Sequence, residues 1–136
     1  MHITLEADYA VRIVYYLASA GGKRIDAKAI SENTGVTLRF SLKILRKLVA
    51  GGIVKSYKGT HGGYEMAKLP QELTLYDVLQ TVEGPYALSR CILPDFECTR
   101  RQGEDCPPCK FNAIYHEISQ EVRKRLQAVC FADLIE

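Results

Sequence analysis

The stretch Thr37-Leu38-Arg39-Phe40-Ser41-Leu42-Lys43-Ile44-Leu45-Arg46-Lys47-Leu48-Val49-Ala50 decides how this chain is read. A threonine suited to capping opens it and Gly51-Gly52 closes it, so the segment predicts one helix. Leu38, Leu42, Leu45, Leu48 and Val49 fall on one side, while Arg39, Lys43, Arg46 and Lys47 line another. Such a helix buries one face on its own domain and presents a basic face to a partner.

The flanks supply the setting. Upstream, Ala10, Ile13, Val14 and Leu17 recur at helical spacing and predict a helix from Leu5 to Ser19, closed by Gly21-Gly22. Asp26 is a candidate cap for a short helix carrying Ala29 and Ile30 and stopping near Gly35. Helix, glycine-containing turn and helix make a helix-turn-helix outline. Downstream, Ile53 to Lys58 and Tyr64 to Ala67 read as strands joined by Gly59-Thr60-His61-Gly62-Gly63, a hairpin of the kind called a wing.

Pro70 then breaks the chain, and Thr74 caps a helix whose Leu75, Val78, Leu79 and Val82 share a face until Gly84-Pro85. The cysteine-rich stretch 85–108 has no sustained period and predicts a long loop. From Phe111 onward, Ile114, Tyr115, Ile118, Val122, Leu126 and Val129 mark a helix of about five turns, with a short apolar end from Phe131 to Ile135. A stripe that long in a chain of 136 residues calls for a partner surface, and a second copy is the expected one. The predicted fold is mainly α with a small β wing. Residues 1–70 are expected to form a winged helix-turn-helix DNA-binding domain, and residues 71–136 a cysteine-bearing sensor loop and dimerisation helix.

Charge separates along the same line. Residues 1–68 hold 11 Lys and Arg against 5 Asp and Glu, a net of +6; residues 69–136 hold 7 against 11, a net of −4. Only the first half is built to face a polyanion. No membrane span or signal peptide is legible, so a cytoplasmic location is expected, with the five cysteines reduced unless metal-bound or redox-active.

Arg39 and Lys43 stand near the start of the decisive helix, where base edges are read, and Arg46 and Lys47 further along suit phosphate. Ser41 is a further candidate for a base or phosphate contact, and Phe40 for packing on a thymine methyl or the sugar backbone. The wing adds Lys58, Thr60 and His61.

These segments together resemble the iron-sulfur-type winged helix-turn-helix transcription regulator family typified by IscR, NsrR and CymR. The resemblance runs through Tyr9-Ala-Val-Arg12, the helix just read and Gly52-Ile-Val-Lys-Ser56. It continues through Lys58-Gly-Thr-His-Gly-Gly-Tyr64, Asp77-Val-Leu79, Val82-Glu-Gly84 and Phe131-Ala-Asp-Leu134. Where the family usually has arginine on the wing, this chain has Lys58, a point charge without the bidentate fork. The resemblance implies a homodimer on a double-stranded DNA operator, with repression the expected sign.

Cys91, Cys98, Cys106 and Cys109 cluster, while Cys130 stands in an apolar tail and reads as a small hydrophobe. Spacing alone leaves iron-sulfur, zinc, thiol redox and structural thiols open; only Cys106-Pro-Pro-Cys109 is tightly spaced. The resemblance implies an iron-sulfur cluster, 2Fe-2S or 4Fe-4S, on Cys91, Cys98 and Cys106. Cys109 stands where some relatives place a histidine ligand, and Asp8 from the other subunit matches the acidic ligand of others; Cys109 is preferred because thiolate is the commoner ligand. Two alternatives remain: a thiol-redox protein using the Cys106–Cys109 dithiol, and a metal-free regulator controlled by a partner or small molecule. No catalytic base or nucleotide loop is apparent, so an enzyme is not expected.

Overall fold

Four helices start where a short polar side chain takes up an otherwise unpaired backbone N–H. The hydroxyl of Thr4 accepts from the Ala7 amide at 3.1 Å, Asp26 from Ala29 at 2.8 Å, and Thr37 from Phe40 at 3.3 Å. Thr74 accepts from Asp77 at 3.2 Å, and the Asp77 carboxylate accepts in return from the Thr74 amide at 2.9 Å. These caps open α1 (Leu5–Ser19), α2 (Ala27–Thr34), α3 (Leu38–Ala50) and α4 (Leu75–Glu83). A fifth helix, α5, spans Lys110–Gln127. The computed structural model describes residues 1–100 and 108–135.

Between α3 and α4, β1 (Val54–Tyr57) pairs antiparallel with β2 (Gly63–Met66), Val54 opposite Met66 and Tyr57 opposite Gly63. Ile25 extends this ribbon, its amide donating to the Tyr64 carbonyl at 2.9 Å and its carbonyl accepting from the Tyr64 amide at 2.8 Å. The wing is thereby tied to the segment that leads into α2. Gly63 makes the tie possible: its φ is +146°, and a Cβ there would sit 2.8 Å from the Ile25 carbonyl oxygen. Gly63→Ala is expected to cost about 1–3 kcal/mol. Thermal denaturation checks this, and an unchanged midpoint would show that the ribbon gives way without strain.

One core joins the elements. Ile13 and Leu17 of α1, Ile30 of α2, Ile44, Leu45 and Leu48 of α3 and Ile53 beside the wing are buried together with Leu73, Val78 and Phe131. Phe131 reaches them because the chain after α5 folds back: its amide donates to the Leu73 carbonyl at 3.0 Å, and the Leu75 amide donates to the Val129 carbonyl at 2.9 Å. α5 itself buries only Ser119 and leaves Phe111, Ile114 and Ile118 exposed. The expected class, mainly α with a small β wing, is the observed one.

Candidate nucleic-acid interface and cysteine loop

α3 presents its cations as predicted but not with the predicted faces. Arg39, Lys43 and Arg46 are exposed, whereas Lys47 is half-buried. The buried side is Ser41, Ile44, Leu45 and Leu48; Leu38 and Leu42, expected on it, are 47% and 39% exposed. Ser41 is correspondingly corrected: it is fully buried and its hydroxyl donates to the Val36 carbonyl at 3.4 Å, so it does not lie on the readable face. Phe40 is half-buried edge-on against Tyr9 of α1, ring centroids 5.4 Å apart, with the Lys43 ammonium 5.6 Å from its own centroid. The Arg12 guanidinium in turn covers Tyr9 at 5.0 Å.

Glu6 of α1 is a participant that the sequence does not disclose. Its carboxylate meets the Lys47 ammonium at 2.7 Å and the Lys43 ammonium at 3.9 Å, locking the back edge of α3 to α1. No sequence spacing announces a pair that only the fold brings together. Glu6→Gln is expected to release Lys47 toward phosphate and to make the slope of log affinity against log salt more negative by about 1 unit. Titrations on one duplex at several salt concentrations read this directly; an unchanged slope would leave the Glu6–Lys47 pair a purely structural contact.

At the wing, Lys58, Thr60 and His61 are all exposed at the tip. The wing root is rigid: Tyr57 donates its hydroxyl to Glu65 at 2.6 Å, and the Arg24 guanidinium lies 3.4 Å from the Tyr57 ring centroid. The Glu65 hydrogen bond raises the Tyr57 phenol above its ordinary range, so it stays a donor. Gly62 lets the tip close, since a Cβ there would stand 2.5 Å from the Tyr57 carbonyl oxygen.

The thiols gather elsewhere, against the start of α5. Cys91, Cys98 and Cys109 line one hollow of about 480 Å³ with Phe96, Asn112 and Tyr115. Asn112 holds its edge, its amide donating to the Cys91 carbonyl at 3.1 Å and lying 3.5 Å from the Cys91 sulfur. Cys106 lies outside the described residues. Among the described residues no three His, Cys, Asp or Glu side chains form a ready metal-binding group. The donor set nonetheless suits a soft metal: among the described residues the hollow is lined by three cysteines and no carboxylate. Asp8 is on α1, its carboxylate 2.9 Å from Arg12. Cys130 is half-buried, its thiol 3.1 Å from the Pro70 carbonyl oxygen, in keeping with a packing role.

The loop before this hollow is stitched to α5. Arg123 donates to the Tyr86 carbonyl at 2.9 Å, and the Ser119 hydroxyl accepts from the Leu88 amide at 2.9 Å. With Asn112, three side chains along one helix hold residues 86–91. Among the described residues no helix is long and apolar enough to cross a membrane.

A helix with an exposed cationic face, packed on a preceding helix and followed by a glycine-tipped hairpin, defines a winged helix-turn-helix DNA-binding regulator. The chain belongs to the Rrf2 family, described as iron-dependent transcriptional regulators, whose profile matches residues 3–136. It is therefore a transcription regulator and not an enzyme. It is 32% identical to the protein aau3 of Rhizobium meliloti over all of this chain and 86% of that protein. It is 24% identical to the HTH-type transcriptional regulator NsrR of Shouchella clausii, over 99% of this chain and 89% of the relative. In structure it is similar to CymR, the global cysteine regulator of B. subtilis, with a TM-score of 0.75 and 23% identity over 98% of this chain and 95% of the other.

Proposed function

We propose that the protein is a cytoplasmic homodimeric repressor whose affinity for its operator responds to an iron-sulfur cluster held in the cysteine loop. The observation carrying this reading is the meeting of Cys91, Cys98 and Cys109 on one hollow that is hydrogen-bonded to α5. The family's description as iron-dependent supports it. In this reading residues 1–70 supply the DNA-reading half and residues 71–136 the sensor loop and dimer helix.

Cys91, Cys98 and Cys106 would hold the cluster, with Cys109 as fourth ligand and Asp8 of the other subunit as the rival. When bound, the cluster supplies a centre that oxidation or nitric oxide alters. The chain's own residues then carry the change. Asn112, Ser119 and Arg123 fasten the loop to α5, so a displaced loop moves or frees that helix. α5 meets α4, whose Thr81 methyl lies where a Cβ on Gly51, at the end of α3, would fall, 2.4 Å away. A change at the thiols thus has a packed route to the helix that faces DNA. Arg39 and Lys43 read bases, Arg46 and Lys58 hold phosphate, joined by Lys47 when its pair with Glu6 opens, Thr60 and His61 follow the backbone at the wing, and Phe40 braces Lys43.

The dimer rests on α5. Phe111, Ile114 and Ile118 lie three and four residues apart on one face and are 57%, 48% and 38% exposed. Ile118→Asp is expected to yield a monomer by sedimentation and to weaken binding to a two-half-site duplex at least tenfold. A dimer of unchanged strength would move the interface off this face.

The whole reading is tested by purifying the protein without oxygen, measuring iron and sulfide, and titrating a selected duplex before and after oxidation. Zinc or no metal, with equal affinity in both states, removes the cluster and leaves the DNA regulator. A metal-free, thiol-responsive or partner-controlled regulator would then be favoured by the likeness to the cysteine regulator CymR.

A further inference from the structure

α3 carries apolar surface where none is needed for folding. Leu38 and Leu42 are separated by one helical turn and line a single hollow with Arg39, Lys43 and Arg46. Both leucines stand clear of the buried row formed by Ser41, Ile44, Leu45 and Leu48. A lone exposed leucine is ordinary. Two in one row, continued by Arg46 and flanked by the Arg39–Lys43 row, form an apolar strip inside a cationic frame. No ion pair ties Arg39 or Arg46 among the described residues.

The frame names the occupant. A cationic surround fits a polyanion and repels a basic protein partner, while the strip calls for an apolar contact within that polyanion. In duplex DNA the major groove offers one such group, the C5-methyl of thymine. Phe40, the apolar residue that sequence suggested for this task, borders the same hollow, but its ring is half-buried edge-on against Tyr9, which leaves the two leucines as its more exposed apolar groups.

We propose that Leu38 and Leu42 are specificity residues that read thymine methyl groups in the major groove, beside the base and phosphate contacts of Arg39, Lys43 and Arg46. The inference rests on the DNA-reading role of α3 and adds what that helix selects. Four residues of helix advance about 6 Å along the axis, and successive bases rise about 3.4 Å. The two leucines therefore address thymines one or two steps apart in each half-site.

The test begins with a duplex recovered by the wild-type protein from a randomised pool. Each thymine in its half-sites is replaced by deoxyuridine, which removes only the methyl. Wild type is expected to lose roughly fourfold in affinity for each methyl that a leucine covers. Leu38→Ala and Leu42→Ala should each lose a similar factor on the thymine duplex and become indifferent to uracil at one position. Arg39→Ala, although weaker, should remain sensitive to uracil at both, and all variants should keep the wild-type fold by circular dichroism. Equal affinity of wild type for the thymine and uracil duplexes overturns the proposal, as does full operator affinity in the double leucine variant. A pool from which no duplex is enriched overturns the DNA-reading role itself, and this proposal with it.

Discussion

Arg39→Ala combined with Lys43→Ala is expected to weaken binding to a selected operator at least about a hundredfold, since each specific base contact is worth about 1–3 kcal/mol. Fluorescence anisotropy at fixed salt measures it. Both side chains are exposed and neither joins the core, so the thermal midpoint should hardly move. Lys43 also lies 3.9 Å from Glu6 and 5.6 Å from the Phe40 ring; these are loose contacts whose loss costs little at a surface. Binding to non-specific duplex should fall by much less, because Arg46 and Lys58 remain to meet phosphate. If operator and non-specific affinities fell by the same factor, α3 would supply charge without reading sequence.

The second large effect is expected at the thiols. Cys91→Ala, Cys98→Ala or Cys106→Ala should each abolish the visible absorption of protein isolated without oxygen. The fold should persist, since neither Cys91 nor Cys98 belongs to the buried core. Cys109→Ala and Asp8→Ala decide the fourth ligand. Cys109 shares a hollow with Cys91 and Cys98, whereas Asp8 is held by Arg12, so the cysteine variant should lose the cluster faster in air. A cluster as long-lived as wild type's in Cys109→Ala that decays quickly in Asp8→Ala would hand the role to the other subunit's α1.

Much of the fold was legible because its signals are local. Thr37, Thr74 and Asp26 cap within three residues of themselves, and the glycines at 51, 59 and 62 mark turns in place. The α5 stripe announced its own length. What failed was the facing of α3. Leucines at 38, 42, 45 and 48 imitate a core stripe, while the small polar Ser41, which truly sits inside, breaks the real one. Hydrophobic periodicity ranks residue types and cannot see that a serine finds the Val36 carbonyl as a hydrogen-bond partner, which offsets the cost of burying its hydroxyl. Glu6 meeting Lys47, and Asn112 meeting Cys91, are products of tertiary folding that no window of sequence contains.

Phe131 has a consequence for how the protein is made. Its ring belongs to the core that α1, α2 and α3 share and is fully buried, yet it is synthesised well after those three helices. A nascent chain that has emerged only as far as the wing therefore lacks a piece of its own interior. Chains fold as their units are completed, so the core of α1, α2 and α3 is expected to close only once the segment bearing Phe131 has emerged.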